Sequence, residues 1–229
     1  MKSIKNEKLI KRNGVLGQWI SIVALLVLGL GMYISFARPE LFGYSIGALI
    51  LGFVLTQVGM YLGNRWGRSP RPDEKIDAGL KGQPGDFTIY HYVAPTAHFL
   101  AGPAGLWVLM HYQQRGTMSF EKNRWRNRGG GLLQGYMRIF GQEGIGRPDI
   151  EAESEVYSVR KFLAKHMDEN EIPEINPILV FSNDTVEIEA NDSPIPALKP
   201  KQLKDYLRQK AKDKKIGPMT LQKINSLFE

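Results

Sequence analysis

Three of the four histidines, His91, His98 and His111, fall on consecutive predicted strands, and imidazole nitrogens suit zinc, copper or nickel. Two carboxylates, Glu74 and Glu151, open predicted helices on either side of those strands. Strand alternation puts His98 on the face opposite Ala97, and His111 opposite Met110 and Tyr112, so convergence of the imidazoles depends on sheet register. A histidine in a sheet is more often a hydrogen-bonded packing residue, and a carboxylate in a first helical turn is explained by the helix dipole. The expectation is therefore no cofactor, with a divalent metal near His91, His98 and His111 as the alternative.

Cations form the second group able to do chemistry. The net charge of +7 is concentrated: residues 1–17 carry five cations against one anion, and residues 199–215 eight against two. A further run lies between residues 122 and 128. Lys122, Arg124, Arg126 and Arg128, with Lys199, Lys201, Lys204 and Arg208, are candidates for contact with nucleic acid phosphates or anionic lipid head groups. The absence of cysteine excludes disulfides, thiolate metal sites and cysteine nucleophiles. Serine or threonine catalysis has no supporting motif. Gly129-Gly130-Gly131 lacks the lysine and the strand-to-helix setting of a phosphate loop.

The elements that must position these residues begin with an anchor. Residues 18–36 and 41–62 are uncharged and apolar, the first about 27 Å long as a helix, enough to span a bilayer's hydrocarbon core. Only Ala37-Arg38-Pro39-Glu40 separates them, so the two spans (within residues 18–68) form an antiparallel hairpin after a basic N-terminus over residues 1–17. Cations flank the outer ends at Lys2, Lys5, Lys8, Lys11 and Arg12 and at Arg65, Arg68 and Arg71. Both termini are thus expected in the cytoplasm, in an integral membrane protein. Gly43/Gly47 and Gly59/Gly63 have the spacing that lets membrane helices approach closely, within the hairpin or toward a second copy or a membrane partner protein.

Residues 69–229 read as a cytoplasmic α/β domain. The predicted order is a helix over 73–81, a strand over 87–93, two strands within 97–112, a strand over 117–121, a helix from Asp149, strands over 178–181 and 186–189, and helices over 201–212 and 221–228. Leu106 to Tyr112 is apolar on both faces, which places it at the centre of a sheet. Residues 129–146 hold seven glycines among 18 residues and read as a Gly-rich insertion, or as an apolar loop dipping into a nearby membrane.

Ala97-His98, the turn Gly102-Pro103-Ala104-Gly105, and a strand ending Met110-His111-Tyr112 before Gly116 resemble the nuclease-related domain, a family with the restriction-endonuclease-like fold. Glu74 within PDEKIDAGL, Trp125 and Ile178-Leu179-Val180-Phe181-Ser182-Asn183 add to the likeness, which covers most of residues 70–208. The resemblance implies a helix, three strands, a helix and a strand in a mixed sheet. It also implies a metal-holding aspartate and glutamate and an assisting lysine, at positions occupied here by Ala97, Met110 and Tyr112. These supply neither carboxylate nor ammonium, so the Lewis acid and hydroxide of a metal nuclease lose their ligands. Glu74 and Glu151 remain as remnants. The expected function is a membrane-anchored, catalytically inactive nuclease-like module that binds or scaffolds. The alternatives are a metal-dependent hydrolase with a displaced active site, lined by Glu74, His91, His98 or Glu151, and a subunit of a larger membrane complex.

Overall fold

The computed structural model describes residues 1–128, 145–213 and 216–228. It divides into two compact units, one formed by residues 6–71 and the other by Met1–Lys5 together with Pro72–Glu229. A strand at the start, β1 (Lys2–Lys5), therefore belongs to the α/β unit, and the helical unit is inserted after it. The basic stretch expected as an N-terminal tail over residues 1–17 is instead a strand followed by the first turns of a helix.

The inserted unit holds α1 (Glu7–Ala37) and α2 (Phe42–Leu62). The Asn6 side chain accepts from the Leu9 backbone N–H at 3.0 Å and starts α1 well before the apolar span. Both helices are long and apolar enough to cross a membrane. Their large side chains point outward, with Leu25 70 % and Phe36 82 % exposed, while small residues are buried: Gly14, Gly17, Ala24 and Gly31 on α1, and Ser45, Gly52 and Gly59 on α2. That is the reverse of a helix pair in water, where apolar bulk goes inside. Ser45 Oγ donates to the Gly31 carbonyl at 2.8 Å and crosses the interface where the backbones come close. The approach runs through Gly17, Gly31, Gly52 and Gly59; Gly43, Gly47 and Gly63 have no neighbour within 4 Å of an added Cβ.

In the α/β unit α3 (Pro72–Gly79) precedes β2 (Thr88–His91), β3 (His98–Gly102) and β4 (Gly105–Tyr112). Next come the hairpin β5 (Thr117–Glu121) and β6 (Arg124–Arg128), then α4 (Pro148–Leu163), β7 (Ile175–Phe181), β8 (Glu187–Glu189) and β9 (Ala197–Leu198). Helices α5 (Pro200–Asp213) and α6 (Pro218–Ser226) close the chain. One mixed sheet runs β1-β2-β3-β4-β7-β9, in which only β3 opposes the other strands, and a small sheet runs β6-β5-β8. Residues 129–144, most of the expected Gly-rich insertion, lie outside the described residues.

As the sequence requires, β4 is buried on both faces. Trp107 and Leu109 join Ile89, Leu100, Ile178 and Val180 beneath α3 and α5, through Ile76, Leu80, Leu203 and Leu207. Leu106 and Val108 join Tyr90 and Phe99 beneath α4 and α6, through Val159, Leu163, Leu221 and Ile224. A third cluster, with Tyr112, Trp125 and Phe181, joins the small sheet to the large one.

The hairpin geometry gives a paired prediction. A Cβ at Gly59 would lie 3.2 Å from the Ser21 backbone nitrogen, whereas one at Gly47 meets nothing. In detergent, Gly59→Leu should destabilise the hairpin by about 1–3 kcal/mol and Gly47→Leu by much less. Equal melting temperatures for the two variants would contradict this interface.

Candidate functional site

The carboxyl ends of the parallel strands, where open α/β sheets tend to bind ligands, gather polar residues together with the first residue of antiparallel β3. Lys5 is the Cα partner of His91 across β1–β2, and His91 that of His98 across β2–β3. His111 lies two residues beyond Leu109 and Ser182 two beyond Val180, so both fall on the face covered by α3. All three sequence-predicted histidines therefore share one face, at one end of the sheet.

Helix α3 meets that row with residues at i and i+4. While Ile76 and Leu80 enter the core, Asp73 and Asp77 face the strand ends. The Lys5 ammonium lies 2.8 Å from Asp73 and 2.8 Å from Asp77, and the Ser3 hydroxyl meets both Asp77 oxygens at 3.1 Å. His91 Nε2 faces Asp77 Oδ1 at 3.0 Å, and His91 Nδ1 faces His98 Nδ1 at 2.8 Å. Asp73, His91 and His98 are buried. Burial pushes the Asp77 carboxyl up, but hydrogen bonds from His91 and Lys5 outweigh it and hold the group below its ordinary range. Burial likewise opposes the charge on Lys5, and its bonds to Asp73 and Asp77 more than compensate, so the ammonium titrates above its usual value.

Beside this network, His111 Nε2 and Ser182 Oγ are 2.6 Å apart, and Lys75 Nζ reaches the same oxygen at 3.4 Å. No sequence motif signalled this serine–histidine contact, because the two residues are brought together only by the parallel pairing of β4 and β7. No three histidine, aspartate or glutamate side chains come together as metal ligands among the described residues.

The positions of the nuclease-like pattern are elsewhere. Ala97 is half-buried just before β3, Met110 packs against both clusters on the α4 side, and Tyr112 lies in the third cluster, stacked on Phe181. The Tyr112 hydroxyl donates to Glu151 at 2.9 Å. Burial, then that bond, pushes the phenol well above its ordinary value, so it stays a donor. Glu151 thus meets Tyr112 on one side of the sheet and His91 and His98 face α3 on the other, and a single cleft lined by all of them is not formed. Glu74 stands half-buried in the first turn of α3.

The cationic candidates separate into two cases. Arg124, Arg126 and Arg128 share one face of β6, opposite Trp125, with Lys122 in the tight turn. By register Glu121, Glu187 and Glu189 stand on that same face of the small sheet, and Arg128 pairs with Glu121. The arginines therefore lie among an equal number of carboxylates. On α5, Lys201, Lys204 and Arg208 recur at helical spacing beside Lys199, with Lys210 and Lys212 in the last turn and Asp205 as the nearby anion. Lys199 and Lys204 are half-buried, while Lys201 and Arg208 are exposed.

No protein-family model, curated protein or solved structure matches this chain. Fold and site define a class: a mixed α/β unit interrupted by a helical hairpin of membrane-spanning length, with a buried ionic network at its strand ends.

Replacing Lys5 with methionine should destabilise the α/β unit by about 3 kcal/mol, because the buried Asp73 carboxylate loses its ammonium. Urea unfolding of the full chain in detergent measures this, and an unchanged midpoint would refute it. The pH dependence has a fixed sign. Since the Asp77 carboxyl is held down in the folded state, its contribution is present above the ordinary carboxylate value and is lost as pH falls through the depressed one. Asp77→Asn should flatten that acid limb of stability.

Proposed function

We propose that this chain is a membrane-anchored binding module in which a nuclease-related, restriction-endonuclease-like fold persists without a nuclease centre. The order α3-β2-β3-β4-α4-β7 in a mixed sheet supports the likeness. The observation that carries the loss of chemistry is the Tyr112–Glu151 hydrogen bond. The phenol fills the position where the pattern needs an ammonium, and it occupies the carboxylate of the remaining glutamate on that face.

Anchoring in the membrane is supported by the outward apolar surface of α1 and α2. Pairing of β1 with β2 supports an even number of crossings. Strands of one sheet must lie on one side of the bilayer, so both ends of the hairpin emerge together. Flanking cations then favour the cytoplasmic side for both termini.

The contact surface in this reading is the basic face of α5, and its ligand is a row of phosphates. Competition distinguishes nucleic acid from lipid as the source. Full-length protein in zwitterionic nanodiscs should bind labelled single-stranded nucleic acid at low salt, and the triple substitution Lys201→Glu, Lys204→Glu, Arg208→Glu should weaken binding at least about tenfold. Arg124→Glu with Arg126→Glu should have a much smaller effect. If anionic lipid in the same disc displaces the nucleic acid, the head group is the ligand. Absence of binding in both settings would refute the surface. Separately, cleavage of DNA or RNA stimulated by magnesium or manganese would refute the inactive centre.

A further inference from the structure

His91 and His98 meet through the same atom of each ring, Nδ1 to Nδ1 at 2.8 Å, with both side chains buried. Such a contact holds one hydrogen, one ring donating and the other accepting. The other ring nitrogen of His91, Nε2, donates to Asp77. Two protonation states keep both the His91–His98 and the His91–Asp77 bonds. With both rings neutral, His98 donates to His91. With one added proton His91 donates from both nitrogens, and its charge lies against the Asp77 carboxylate. A doubly protonated pair turns two N–H groups and two charges against each other, and the 2.8 Å contact cannot survive.

Among the described residues, the groups facing the pair include Lys5 and Ser3 from β1, Asp73 and Asp77 from α3, His111 on the same face of the next strand, and Tyr92. The Tyr92 ring lies edge-on to His98 at 5.0 Å between centroids. Tyr92 is in the left-handed region, with φ of 61°, and its N–H donates to the Ala97 carbonyl at 2.8 Å. An aromatic residue pays strain there, so the turn that brings the two histidines together is maintained against a local cost.

We propose that this network is a proton-operated clasp on the N-terminal strand: it holds while His91 and His98 share one hydrogen between their Nδ1 atoms, and it frees β1 from α3 when both rings are protonated. Separation of the rings withdraws His91 from Asp77 and disturbs the carboxylate pair that grips Lys5. The release falls where the chain leaves the α/β unit and where it returns. Only Asn6 lies between β1 and α1, and α3 begins directly after Arg71. The clasp is independent of the binding surface proposed for α5.

Hydrogen–deuterium exchange of the full chain in detergent, with rates divided by the intrinsic chemical rate at each pH, reads the clasp. Protection of residues 2–5 should fall about tenfold or more between about pH 7.5 and pH 5, while β4 stays protected. In His98→Asn the amide can keep one hydrogen bond to His91 without a second titrating ring, and protection should stay level. Flat protection in the wild type overturns the proposal, and so does an equal loss in His98→Asn. If that variant does not fold, His91→Gln serves the same comparison. If neither folds, the wild-type curve decides.

Discussion

One ammonium shared by two carboxylates holds the α/β unit together across its interruption. Lys5 closes the first strand, and Asp73 and Asp77 open the first helix after residues 6–71. Backbone pairing of a four-residue edge strand is a weak attachment in itself. The ionic contact is added at the strand's carboxyl end, with Asp73 fully buried behind it. A charge taken out of water this way is tolerated only when it is paired and hydrogen-bonded, and Ser3 and His91 add their bonds at Asp77. The extended network is thus a condition for burying the pair at all.

The same accounting separates the two cationic surfaces. Cross-strand neighbours on a sheet face interact strongly at short range, so three arginines on β6 are balanced by Glu121 on β5 and Glu187 and Glu189 on β8. A helix face has no such obligatory neighbours. The cations of α5 recur every three or four residues and project from an element whose inward side is Leu203 and Leu207.

Much of this was legible in the sequence where one residue pattern had one structural meaning. The turn at Gly102–Gly105 and the two-faced apolar strand Leu106 to Tyr112 appear in the fold as read. Strand β1 did not, because four residues of mixed polarity ahead of a cationic helix look like a solvated tail, and its partner lies beyond the whole hairpin. The polar network escaped for a related reason. Asp73 reads as a carboxylate suited to a helix start, and only sheet pairing shows that it faces Lys5. The histidines could be placed on faces by alternation, but register alone decided that His91 and His98 touch while His111 turns to Ser182. Of the glycines with close-packing spacing, Gly59 lies at the α1–α2 contact with Gly31 and Gly52, whereas helix rotation directs Gly43, Gly47 and Gly63 away from it.

The position of β1 also imposes a schedule on synthesis. Lys2–Lys5 is made before the helical hairpin, and its partner Thr88–His91 only after both long helices. At about 5–20 residues per second, the strand waits on the order of 10 s with its hydrogen-bonding edge unpaired. During that wait α1 and α2 can already associate, since their interface needs nothing from downstream. Their antiparallel return brings the chain back beside the start of α1, where Gly14 meets Trp66. A return closed within residues 6–71 shortens the effective loop that β1 and β2 must close.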